Sequence, residues 1–268
     1  GIPMNAAPEG SLHLLQCYPD VRQLALWGHR NGLLRTAQET GFQKDDPGYV
    51  LHALLRAAFG DLAPKPFWYR VGREGLLAFT RHDPDVLRKN ACLATPDVSA
   101  ALGLNGSGQD LGLASRKFPD RWSQGQILCF EARVRPVVRT KATSKHPGGT
   151  ERDAFLAYLD RKAEDEKSNV TALRETIYAE WLSRQFGKDG GAKLESAQIA
   201  QYRLTSVLRQ QGLKEDGRRA RTMVSGPEVV MSGTLMVDNT EAFSEMLARG
   251  IGRHRAFGFG MVLLRPAR

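Results

Sequence analysis

At 268 residues, 41% of them hydrophobic, the chain holds enough apolar material for one large domain or two smaller ones, each with a buried core. A formal net charge of +9 and a pI near 9.7 favour a polyanionic partner, with nucleic acid and an anionic membrane surface as the two candidates. No apolar run approaches the length of a bilayer span, and no signal-peptide pattern opens the chain. Cys17, Cys92 and Cys129 are too few and too scattered for a disulfide frame or a zinc site, so a soluble protein of the reducing cytoplasm is expected.

Residues 12–17 read as a first strand, closed by Tyr18-Pro19-Asp20. Apolar residues at helical spacing over 21–40 (Leu24, Leu26, Trp27, Leu33, Leu34, Ala37) predict a helix that Gly28 and Gly32 weaken. It carries His29, Arg30 and Arg35, which a surface helix would leave solvated. Asp45-Asp46-Pro47-Gly48 has the start signals of a second helix, acidic residues followed by proline. Its body puts Leu51, Leu54, Leu55, Ala58 and Phe59 on one stripe, whereas Tyr49, His52 and Arg56, at i, i+3 and i+7, share the other face. A phenol, an imidazole and a guanidinium on one face are the inventory for acid–base work beside a phosphate, although spacing alone favours a solvent-facing histidine. Residues 65–71 and 75–80 then form a hairpin across Gly72-Arg73-Glu74-Gly75. A short helix is expected over 83–93, and 94–123, with Gly103, Gly106, Gly108 and Gly112, reads as a loop-like linker.

Residues 125–139 alternate as one long strand, with Leu128, Phe130, Ala132 and Val134 on one side and Cys129, Glu131, Arg133 and Arg135 on the other. Arg139 closes that strand, and Lys141, Lys145 and His146 then mark a basic loop over 140–149. Phe155, Leu156, Leu159 and Ala163 predict an amphipathic helix over 152–167, and 170–186 and 192–211 follow as further helical segments. Arg218, Arg219 and Arg221 belong to the densest basic patch before the C-terminus, which reads either as a solvated charge run or as a phosphate-binding surface. A half-buried strand over 229–237 and a helix from Asn239 lead to the last distinctive stretch.

That stretch is Gly250-Ile251-Gly252-Arg253-His254-Arg255-Ala256-Phe257-Gly258-Phe259-Gly260, followed by an apolar strand that includes Leu263-Leu264. Glycines allow a backbone to turn back on itself and a bulky polyanion to approach its N–H groups, while Arg249, Arg253, His254 and Arg255 supply charge. A helix precedes this loop and a strand follows, the reverse of a dinucleotide fingerprint. The pattern Gly-Ile-Gly-x-x-[Lys/Arg]-x-x-Gly-x-Gly resembles the C-terminal loop of the CRISPR-associated endoribonucleases that cut repeat RNA into guides, in particular the CasE branch. Arg255 stands where that family carries a cation. Tyr49-x-x-His52-x-x-Leu55, with Phe59-Gly60 after it, resembles that family's first helix, in which the histidine is catalytic and the tyrosine assists it.

The resemblance implies an α+β fold of two tandem ferredoxin-like (RRM-like) domains, 1–122 and 123–268, with a helical insertion at about 150–212 in the second and the glycine-rich loop at 249–260. It implies a metal-independent endoribonuclease with no cofactor, in which His52, Tyr49 and Arg255 are catalytic. The substrate would be a CRISPR repeat RNA stem-loop, cut to 2′,3′-cyclic phosphate and 5′-hydroxyl ends and held by its 3′ hairpin, with other Cas subunits as partners and no membrane. Arg253, His254, Arg249, Gly252, Gly258, Arg218, Arg219, Arg221, Arg139, Lys141, Lys145, Arg30, Arg35 and Arg56 are the expected RNA contacts. The 25 or so residues between the first strand and the histidine helix depart from the family, so His29, Arg30 and Arg35 remain alternatives to His52. The helical insertion resembles that of the type IV processing enzymes. A non-catalytic RNA-hairpin-binding subunit of the same fold, and a general anion binder, are the competing expectations.

Overall fold

Two four-stranded antiparallel sheets organise the chain, and in each the strands lie in the order fourth, first, third, second of a β-α-β-β-α-β unit. The structure, a computed structural model, describes residues 10–34, 47–106, 108–119, 121–141, 149–162, 170–213 and 219–267. Its fold is α+β, two ferredoxin-like units in tandem, as the alternation of elements predicts. One compact unit runs to Arg121 and takes in Leu247–Gly250 and Arg255–Met261; the other comprises Trp122–Met246, Ile251–His254 and Val262–Arg268.

In the first unit the elements are β1 (His13–Cys17), α1 (Val21–Arg30), α2 (Gly48–Phe59), β2 (Phe67–Arg70), β3 (Gly75–Thr80), α3 (Pro84–Ala91), α4 (Pro96–Leu102) and β4 (Ala114–Lys117). The sheet order is β2-β3-β1-β4. The apolar stripe of α2, now including Val50, packs with Leu15, Cys17, Phe67, Leu76 and Ala78 of the sheet and with Leu87, Val98 and Leu102 of the other helices. Burying that stripe is what fixes which side of α2 carries Tyr49 and His52.

Two expectations for this unit are corrected. The helix over 21–40 ends at Arg30, where the N–H of Asn31 reaches back to the Trp27 and His29 carbonyls and Gly32 turns left-handed with φ 63°. Residues 35–46, with Arg35 and the Asp45-Asp46 start signal, lie outside the described residues. The stretch read as a linker contains α4 and β4. Pro96 opens α4 and Gly103, left-handed at φ 70°, closes it. Those are sound start and stop signals, but seven residues are too few to show a helical period.

The second unit contains β5 (Ile127–Val134), β6 (Val137–Arg139), β7 (Glu151–Asp153), α5 (Ala154–Leu159), α6 (Val170–Gly187), β8 (Ala192–Leu213), β9 (Arg219–Val237), most of α7 (Thr240–Arg249) and β10 (Val262–Pro266). Its sheet runs β10-β5-β9-β8, with β6 and β7 as a separate pair. The long strand expected over 125–139 breaks before Pro136, which cannot donate to a ladder. The helix expected from 152 starts at Ala154, because Asp153 caps it by accepting from the Phe155 N–H at 2.8 Å.

The largest correction is at 192–211, which is strand β8 and not a third helix. Its Ala, Leu, Glu, Lys and Gln residues favour a helix locally. Tertiary pairing overrides them: β8 joins β9 from Ala192↔Val237 to Leu213↔Arg219. The insertion is thus helical to Gly187 and strand from Ala192. Since β5 pairs with β9 only from Val229 to Met236, the stretch from Arg219 to Glu228 forms a two-stranded ribbon with β8 among the described residues. Buried charge pins the ribbon's root: Glu228 accepts from Arg133 at 3.1 Å and Arg203 at 2.8 Å, and Arg135, 1% exposed, donates to Thr205 Oγ1 at 3.0 Å.

Candidate functional site

Helix α2 and the turn Arg255–Phe257 belong to the same unit, and their rings meet there. The Phe257 ring stacks on Tyr49 with centroids 5.7 Å apart and planes 11° apart. It also meets the His52 imidazole at 5.0 Å, with planes at 59°. Tyr49 and His52 are themselves 6.2 Å apart, as one helical turn requires. His52 makes a hydrogen bond to the backbone of Ala256, which ties the imidazole to the residue next to Arg255. Gly250 makes this close folding possible: it is left-handed at φ 76°, and a Cβ there would stand 2.9 Å from the Gly260 carbonyl oxygen and 3.0 Å from the Pro66 ring.

The electrostatics of the cluster are positive. Burial lowers the His52 pKa from its ordinary 6.5, the Arg56 and Lys65 cations lower it further, and the Ala256 hydrogen bond opposes them. Arg255 is half-buried, and burial followed by the neighbouring Arg249 charge pulls its pKa down from the usual arginine value. It donates to the Arg249 carbonyl at 3.4 Å, and among the described residues no carboxylate pairs with it. A half-buried guanidinium with no carboxylate partner among the described residues, on a turn whose Phe257 meets a phenol and an imidazole of lowered pKa, has the chemistry to hold a phosphate and exchange protons near it. Among the described residues no three His, Cys, Asp or Glu side chains stand together as metal ligands.

The remaining candidates are dispersed. Arg253 and His254 lie in the second unit, where both engage Glu151: Arg253 Nε is 2.5 Å from one carboxylate oxygen and His254 Nε2 is 2.7 Å from the other. Burial raises the Glu151 pKa, but the hydrogen bond and charge of His254, with Arg253, more than offset this and hold it lowered to about 2. Gly252 lies against the Trp181 indole, and Gly258 is buried with φ 90°. Arg249 is exposed in the last turn of α7. Arg139 ends β6, with exposed Lys141 just beyond it. Arg56 pairs with Asp61 at 3.1 Å on the surface. His29 and Arg30 stand exposed at the end of α1. Arg219 and Arg221 lie on the first residues of β9, while Arg218, Lys145 and Arg35 fall outside the described residues.

Spacing rules reveal neither Phe257 against Tyr49 and His52 nor Glu151 against Arg253 and His254. The aromatic flanked by Ala256 and Gly258 was legible only as part of a loop, and nothing local marks an acid on a three-residue strand.

Residues 14–266 match the model of the family described as CRISPR associated protein. The chain belongs to that family. No curated protein sequence matches it. Among solved structures, a CRISPR endoribonuclease Cse3 bound to 19 nt RNA is 18% identical, with 96% of this chain and 100% of that one covered and a TM-score of 0.57. A chain of a CRISPR RNA-guided surveillance complex in a pre-nicking state is also 18% identical, covers 95% and 100%, and has a TM-score of 0.52. Thermus thermophilus Cse3, bound to an RNA representing a pre-cleavage complex, is 17% identical over 96% and 100%, with a TM-score of 0.50. At such identities the likeness is one of fold, and it extends over both ferredoxin-like units. No helix among the described residues is long and apolar enough to cross a membrane.

Proposed function

We propose that the protein is an endoribonuclease that cuts CRISPR repeat RNA at a stem-loop by attack of the ribose 2′-hydroxyl, without a metal. The observation that carries this reading is the meeting of Tyr49 and His52 with Phe257 on the turn that bears Arg255. RNA brings its own nucleophile, so the enzyme needs only to align it, move two protons and stabilise the charged transition state. Neutral His52 takes the 2′-hydroxyl proton as the 2′ oxygen attacks phosphorus. The bond to the 5′ oxygen breaks, and Tyr49 protonates or orients that leaving group. Arg255 neutralises the extra charge on the phosphoryl oxygens. The products are a 2′,3′-cyclic phosphate and a 5′-hydroxyl.

Arg249, Arg253, His254, Arg139, Lys141, Lys145, Arg30, Arg35, Arg56, Arg218, Arg219 and Arg221, with the backbone at Gly252 and Gly258, form the pool from which phosphate contacts are drawn. The fold relatives support the choice of RNA: two are Cse3 chains bound to RNA, and one lies in an RNA-guided surveillance complex. By the same analogy, this protein stays with its product hairpin and joins other CRISPR-associated subunits.

The test is a labelled repeat hairpin incubated with protein in EDTA, with product ends mapped. Wild type should cut, a 2′-deoxy substitution at the scissile nucleotide should block cutting, and His52→Ala and Arg255→Ala should each lose about 10²–10⁴ in rate. Metal-dependent cutting that leaves a 3′-hydroxyl would refute the mechanism. Tight binding with no cutting would select the non-catalytic hairpin-binding subunit instead.

A further inference from the structure

A third segment of the first unit reaches the cluster of Tyr49, His52 and Phe257. Strand β2 packs against the turn Arg255–Phe257, as helix α2 does. Just before β2, Pro66 lies against Gly250, where a Cβ would stand 3.0 Å from the proline ring. The Pro66 carbonyl also accepts from the Phe79 N–H at 3.1 Å. Packing on one side and a backbone bond on the other hold the chain next to Lys65, which is itself exposed.

The Lys65 charge is felt at the His52 imidazole. Burial and Arg56 are the larger causes of the lowered His52 pKa, and Lys65 adds to them against the Ala256 hydrogen bond. A cation that opposes protonation of that imidazole attracts a phosphate placed beside it by the same law. The two cations are committed differently. Arg56 pairs with Asp61 at 3.1 Å, whereas among the described residues no carboxylate pairs with Lys65. Cleavage has a use for such a charge. As the 2′ oxygen attacks, both non-bridging oxygens on phosphorus gain negative charge, which more than one cation can share.

We propose that Lys65 is a further catalytic residue: its ammonium contacts a non-bridging oxygen of the scissile phosphate and, with Arg255, stabilises the charge that builds there. The proposal rests on the endoribonuclease reading above. The role asks for charge alone, and the protons still move through His52 and Tyr49.

The test is single-turnover cutting of the labelled repeat hairpin at saturating protein, on the pH plateau above the His52 limb. Affinity is read separately on the hairpin with a 2′-deoxy scissile nucleotide, and far-UV circular dichroism checks the fold. Lys65→Ala and Lys65→Gln should bind within about threefold of wild type and cut about 10–100-fold more slowly, the pattern of a charge that counts mainly in the transition state. Lys65→Arg keeps the charge and should cut within about fivefold of wild type. An unchanged plateau rate overturns the proposal even if the acid limb shifts, because Lys65 would then act only on the His52 proton. A loss explained wholly by weaker binding overturns it, as does Lys65→Arg being as slow as Lys65→Ala. Lys65 is exposed, so these changes remove no core packing; should Lys65→Ala still fail to fold, Lys65→Gln decides. Wild-type protein that binds the hairpin and leaves it intact brings down the endoribonuclease reading and this role with it, whereas wild-type cutting with unaffected Lys65 variants brings down this role alone.

Discussion

His52 holds its proton under opposed influences, and their balance has a sign that can be measured. Burial is the largest and lowers the pKa, Arg56 and Lys65 add to it, and only the Ala256 hydrogen bond pulls the other way. The imidazole therefore stays neutral below its ordinary 6.5. In the unfolded chain it takes up a proton at the ordinary value, so the folded state loses stability as pH falls through 6.5 toward the lowered value. Cutting that uses the neutral form as base should accordingly keep its acid limb below pH 6.5. Arg56→Ala removes the second of the lowering influences and should move that limb to higher pH in single-turnover rate–pH profiles. A limb that stays put would detach the titrating group from His52. The shared face of Tyr49, His52 and Arg56 was legible from helical spacing. That Phe257 lies against two of them was not, because no local rule joins α2 to a turn near the far end of the chain.

At the scale of elements, the instructive case is β8. A composition that favours helix became a 22-residue strand because β9 lies beside it to receive the ladder. Propensity differences of tenths of a kcal/mol per residue are weak against a continuous set of hydrogen bonds and cross-strand contacts. The ladder also slips register between Leu194 and Ser196, and Gly233 pairs with Ala197 just beyond that irregularity. A Cβ at Gly233 would run into the Ser196 carbonyl oxygen. Gly233→Ala should therefore destabilise the protein by about 1–3 kcal/mol, the cost of an overpacked site. A lowered urea midpoint would register it, and an unchanged midpoint would mean that the strands part there without penalty. Short elements failed for a different reason: α4 and β4 are shorter than the window in which periodicity speaks.

For the whole molecule, the +9 charge suits a polyanionic partner, and the proposed one is RNA. An RNA stem-loop gripped largely through phosphates releases counterions, so affinity should fall linearly in log–log terms, by about 10²–10³ between roughly 50 and 200 mM salt. Filter binding of the repeat hairpin against a scrambled stem of equal length would measure both the slope and the preference. A flat response would remove the basic residues from the interface. The sequence by itself determined the α+β alternation, the polyanion-seeking charge, the helix that bears Tyr49 and His52, and the glycine turn with Arg255. These are written in local periods and local residue types, which a linear reading can see. Only the tertiary structure decided that 192–213 is strand, that Phe257 packs on Tyr49 and His52, and that Glu151 holds Arg253 and His254. Those outcomes depend on which distant segments bury one another, a choice made by packing and charge pairing and not by any residue's neighbours in the chain.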